Sequence, residues 1–123
     1  MVTHASARRL PVHELALEVA VQAARLSRTL AGPGAATRAD QLVRAALAIS
    51  SNIAEASGRA TGAERRRFFA YARGSAGEAL TQLRIAAALD LGHVREIHQL
   101  EGQLAVVMKT LGRLIAHPPS DRC

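Results

Sequence analysis

The chain is nearly devoid of aromatic side chains. Among its 123 residues there is no Trp, and the aromatics are Phe68, Phe69 and Tyr71, all within one helical turn. Aromatic and β-branched residues favour strands, so a β-sandwich or barrel core is excluded. Cysteine is as scarce. Cys123 stands alone at the last position, which excludes an internal disulfide and fits a reducing, cytoplasmic setting. No run approaches the roughly 20 apolar residues of a membrane span, so no membrane partner is expected. Residues 1–10 carry Arg8 and Arg9 but no apolar region of the signal-peptide kind. They are expected to form a frayed N-terminus, with 118–123 as a tail. Lysine is almost missing too. Arg outnumbers Lys fifteen to one, and the formal charge is +6. Codon drift in a GC-rich genome accounts for the ratio, but less well for the net positive balance.

What is present is helical. Residues of the apolar class make up 49% of the chain, supplied mainly by Ala, Leu, Val and Ile. Alanine is the best helix former, with Leu and Arg close behind. The length suits one domain. Apolar positions recur at three- and four-residue steps in four segments. The first runs from Pro11, suited to an initial helical position, to Ala31, with Val12, Leu15, Val19, Ala23, Leu26 and Leu30 as its stripe. Gly32-Pro33-Gly34 ends it. The second spans Thr37 to Ser57 with Leu42, Ala46, Ile49 and Ile53, and Gly58 is placed to stop it. The third starts at a Thr61–Glu64 capping box and reaches about Leu91. Gly74 and Gly77 inside it are read as places where a neighbouring helix comes close or the helix bends. The fourth runs from Val94 to His117 with Ile97, Leu100, Leu104, Val107, Leu111 and Leu114. Short connections then give an all-α, antiparallel up-down-up-down four-helix bundle over residues 11–117.

Polar residues interrupt these faces around the second turn. Arg44, Asn52, Glu55, Arg59, Ser75 and Glu78 form a candidate structural cluster or subunit interface. Buried polar groups need partners, so Asn52, Glu55 and Arg59 are expected to hydrogen-bond across the turn or across a subunit boundary. A general acid–base pair of Glu55 and Glu78 is the weaker alternative, with no nucleophile or third group to support it. On the third helix Arg66, Arg73 and Arg84 fall within about 20° of one another at 100° per residue. Ala70 and Gly77 lie between them, and Arg65 adds charge at the start. Arg65, Arg66, Arg73 and Arg84 are the candidate nucleic-acid-binding residues. A solvated face, or ion pairs with a neighbouring subunit, is the alternative.

Other chemistry is thin. Gly74-Ser75-Ala76-Gly77 lacks the spacing of a nucleophile elbow. His98 and Glu101 share a face but are too few for a zinc site. There is no phosphate loop or dinucleotide fingerprint, so no metal, cofactor or enzymatic activity is expected. Tyr71 and the two Phe residues have the chemistry for base stacking, but Phe68 is read as core. Leu17, Val21 and Ala24 on the first helix, and Phe69, Ala76, Leu80 and Ala87 on the third, exceed what one bundle needs. They are read as a subunit interface.

The motifs Gln41-Leu42-Val43-Arg44-Ala45-Ala46, Ile49-Ser50-Ser51-Asn52-Ile53-Ala54-Glu55 and Gly58-Arg59 resemble those of the bacterial 23S rRNA intervening-sequence, or S23, family. Phe68, Ala72, Gly74-Ser75, Glu78 and Gln82-Leu83 continue the resemblance, which covers about Val12 to Ile115. It implies a small cytosolic bundle that assembles as a homopentamer. It also implies kinship with the basic pentameric accessory protein of diversity-generating retroelements, which works with a reverse transcriptase and nucleic acid. The chain departs from the family pattern at Ala56, in Gly32 before Pro33, and in having no aromatic in its first helix. The function expected is therefore a homo-oligomeric interaction module, with RNA or DNA as one partner. A ring that binds a protein partner without nucleic acid is the alternative.

Overall fold

Four helices follow one another along the chain, and the computed structural model describes residues 11–89 and 92–118. Helix α1 is Pro11–Ser27, α2 is Ala35–Ser57, α3 is Gly62–Ala88 and α4 is Val94–Ala116. There is no strand among the described residues. Each helix packs against its two neighbours in a cycle: α1 on α2, α2 on α3, α3 on α4, and α4 back on α1. Long-range contacts fix the directions. Arg66 at the start of α3 meets Ile115 at the end of α4, while Gly77 faces Met108. Gln82 meets Gln41, whereas Arg65 meets Arg59. Glu18 meets Gln103, and Leu30 lies at Gly92. In each pair one index rises as the other falls, so neighbours α2/α3, α3/α4 and α4/α1 run antiparallel, and α1 opposes α2 as a consequence.

The ends of the helices have local causes. Helix α1 stops four residues earlier than its periodicity suggests. The Ser27 Oγ donates to the Ala24 carbonyl at 2.7 Å, and the Thr29 Oγ1 to that of Leu26 at 2.8 Å. Side-chain hydroxyls thus take acceptors that the next turn would have used. Gly34 precedes α2 at φ 76°, the left-handed region that glycine reaches without a Cβ clash. Gly58, by contrast, closes α2 at φ −89°, so its left-handed freedom is not used. Thr61 caps α3 as its sequence indicates: its Oγ1 accepts from the Glu64 amide at 3.1 Å.

The core is small-grained. Ala16, Ala23, Ala46, Ala56, Ala72, Ala76 and Ala79 are fully buried beside Leu42, Ile49, Ile53, Leu83, Leu104 and Leu111. The core ring of α3 is not the one its periodicity suggests. Phe69, not Phe68, is the buried ring, and Phe68 is only half-buried. The inward stripe is Phe69, Ala72, Ala76, Ala79, Leu83 and Ala86. Hence Phe69 and Ala76 belong to the core of the single bundle, and Leu80 and Ala87 pack against it. They are not surplus. The expected close approach at Gly74 is also absent, since a Cβ there would meet no atom of another element within 4 Å. At Gly77 it would meet only the Met108 methyl at 4.0 Å.

Candidate functional site

The candidate residues lie along the two flanks of α3, one toward α2 and the other toward α4. The first is the α2–α3 side. Where α2 ends, Glu55 pairs with Arg59 at 2.7 Å, and both side chains are substantially exposed. The Arg59 guanidinium lies 4.6 Å from the centroid of the Phe68 ring, and that of Arg67 lies 5.4 Å from it. Tyr71 meets the same ring edge-on at 5.5 Å. Two cations and one aromatic thus occupy Phe68, and each contact is of a kind worth about 0.5–1 kcal/mol at an exposed site. Asn52 does not reach across the turn. Its Nδ2 donates to the Ala48 carbonyl of its own helix at 2.9 Å. One turn higher, Ser75 is buried. Arg44 pairs with Asp40 at 3.0 Å on the exposed face of α2. Above it a shallow groove of about 250 Å³ is lined by Gln41, Arg44, Ala45, Ala48, Glu78 and Gln82. Glu78 lies about 15 Å along α3 from Phe68 at roughly 1.5 Å per residue. Glu55 and Glu78 therefore serve different levels of the helix and do not form a pair.

The second face is the side of α3 that turns toward α4. Arg66, Arg73 and Arg84 are all exposed. The Arg66 Nε donates to the Ile115 carbonyl at 2.9 Å, which anchors the stem of the side chain against the end of α4. The Arg73 guanidinium lies beside Gly112 of α4, 3.9 Å from where a Cβ would stand. Arg65 is placed differently from its neighbours. It is 7% exposed, and its Nη1 donates to the Arg59 carbonyl at 2.8 Å. It ties α3 to the preceding turn and leaves the basic strip. Helical spacing explains this: one step of 100° from Arg66 carries Arg65 from the edge of the helix to its inner stripe.

A third feature had no signal in the sequence. A groove of about 240 Å³ between α1 and α4 is lined by Gln22, Arg25, Leu26, Thr29, Glu96, Gln99, Leu100 and Gln103. The Gln103 Nε2 donates to Glu18 at 3.1 Å, and its Oε1 is buried without a protein donor. Polar residues at these spacings look like any solvated helix face, so only the packing exposes the groove. Among the described residues no three His, Cys, Asp or Glu side chains come together as a metal site would need. His98 and Glu101 stand 3.9 Å apart. No helix there is long and apolar enough to cross a membrane.

The family model described as 23S rRNA-intervening sequence protein matches residues 8–113. Among solved structures, a protein of unknown function from the S23 ribosomal protein family of Bacteroides thetaiotaomicron superposes with a TM-score of 0.77 at 20% identity. The alignment covers 85% of this chain and 97% of that one, and at that identity it speaks for the fold. No curated protein matches the chain.

Proposed function

We propose, for a chain that belongs to the 23S rRNA-intervening sequence protein family, a non-catalytic cytoplasmic role as a homo-oligomeric module that binds nucleic acid. One observation carries the reading. Arg66, Arg73 and Arg84 stand exposed along one line of α3, and cations so arranged release counterions when they meet a phosphate backbone. Arginine suits this better than lysine, because its planar fork takes two phosphate oxygens at once. Assembly is supported by the exposed apolar residues Leu17, Val21 and Leu47 on α1 and α2. A closed ring buries such a surface, and the pentamer comes from the family resemblance.

The second reading is a ring that holds a protein partner. The α2–α3 groove favours it, with Arg44 and Glu78 offering opposite charges. Light scattering on a size-exclusion column, with absorbance at 260 and 280 nm, separates the two. A ring-sized mass carrying excess 260 nm absorbance that disappears at high salt is the expected result. A ring with a clean protein spectrum favours the adaptor, and a monomer removes the assembly.

A further inference from the structure

We infer that the α3–α4 face is a docking surface for double-stranded nucleic acid, held through its phosphates by two rows of cations; this rests on the nucleic-acid reading above. The first row is Arg66, Arg73 and Arg84 on α3. The second is on α4: Arg95, Lys109 and Arg113, all exposed. These three fall within about 40° of one another around α4 at 100° per residue. The contact of Arg73 with Gly112 and the bond from Arg66 to Ile115 bring the rows together, because Gly112 lies three residues from Lys109 and is next to Arg113. Each row is about 27 Å long at roughly 1.5 Å per residue.

Charge is segregated on this face. Among the described residues, Glu101 is the one carboxylate on the α3–α4 side, and it is largely covered and turned to His98 at 3.9 Å. The other acids of these two helices point elsewhere. Glu78 lines the α2–α3 groove, Glu96 lines the α1–α4 groove, and Glu64 closes the cap at Thr61. Net charge alone does not sort acids and bases in this way.

The nature of the ligand follows from what lies between the rows. The intervening positions Ala70, Gly77, Gly102, Ala105 and Gly112 are small, and Val106, 52% exposed, stands in line with Arg95 and Arg113 as a bulkier apolar side chain within the second row. None of these small residues can stack on a base, and the exposed imidazole beside them, His98, is turned to Glu101 at 3.9 Å. Single-strand binders combine cations with aromatic platforms, and Phe68, Phe69 and Tyr71 are elsewhere. Phe69 is buried. Tyr71 stands about 160° around α3 from Arg73, and Phe68 is engaged by Arg59, Arg67 and Tyr71. An array of cations without Phe, Tyr or Trp matches a backbone that is already ordered. Each row spans roughly eight base pairs at about 3.4 Å per step.

Fluorescence anisotropy with a labelled 20-base-pair RNA duplex and a labelled 20-nucleotide oligouridylate tests this on the full chain. The duplex is expected to bind at least tenfold more tightly in 0.1 M salt. Its affinity should fall with a logarithmic salt slope of up to about −5, from about 0.9 per phosphate contact. Lys109→Ala with Arg113→Ala should reduce the slope by about 2. The charge-matched control Arg25→Ala with Arg28→Ala, at the C-terminal end of α1 and the turn after it, should leave it close to wild type. Circular dichroism confirms that each variant is folded. Oligouridylate binding as tight as the duplex overturns the duplex assignment while leaving nucleic-acid binding intact. Equal loss in the control pair overturns the α3–α4 face. Binding of neither probe at 50 mM salt overturns both this inference and the reading on which it rests.

Discussion

Phe68 and Phe69 are adjacent and chemically identical, yet the fold uses them oppositely. Phe69 is fully buried, so Phe69→Ala should cost about 3–5 kcal/mol of unfolding free energy. Phe68→Ala loses partial burial, two cation contacts and one ring edge, which amounts to about 1–2 kcal/mol. Urea unfolding of the two variants measures the difference, and equal or inverted losses would contradict the assigned core. The sequence alone favours the wrong ring. Its inner stripe on α3 is mostly alanine, and alanine is common on any helix face, so two stripes one residue apart look equally apolar. Arg65 was hidden for the same reason. Three consecutive arginines read as surface, but the stripe that takes Phe69 inward also takes the residue one turn before it.

At the scale of the element, helix capping was legible and glycine was not. The Thr61–Glu64 box predicted the start of α3 because its signal is local: one side chain meets one amide three residues on. Gly74 and Gly77 suggested a close crossing, but no other element comes near Gly74. Gly74→Ala and Gly102→Ala, the latter equally open in the middle of α4, should therefore each stabilise the protein by about 0.5–1 kcal/mol. That is a rise of about 2–6 °C in the melting temperature. Gly34→Ala should do the reverse by about 1–2 kcal/mol, since φ there is 76°. Thermal melts of the three variants provide the check. A lowered melting temperature for Gly74→Ala would indicate a neighbouring subunit seated against that turn.

For the whole molecule, the bundle is cyclic, so the α1–α2 side lies opposite the α3–α4 side. The exposed Leu17 and Val21 are on the former and the cation rows on the latter. Leu17→Glu with Val21→Glu should split the assembly into monomers while leaving helicity unchanged, as scattering and circular dichroism would report. An unchanged mass would move the interface elsewhere. The four-helix architecture was readable because periodic stripes and short loops constrain it from many residues at once. The grooves and the pairing of the two cation rows were not, since they arise only when two helices meet. The alanine interior has one more consequence. A methyl group has no rotamers to freeze, so these positions surrender almost no side-chain entropy when the chain folds. They also have no alternative rotamer in which to make room. An added carbon at Ala72, Ala76 or Ala79 must displace a whole helix, which makes the centre of this bundle less tolerant of drift than a core of leucines.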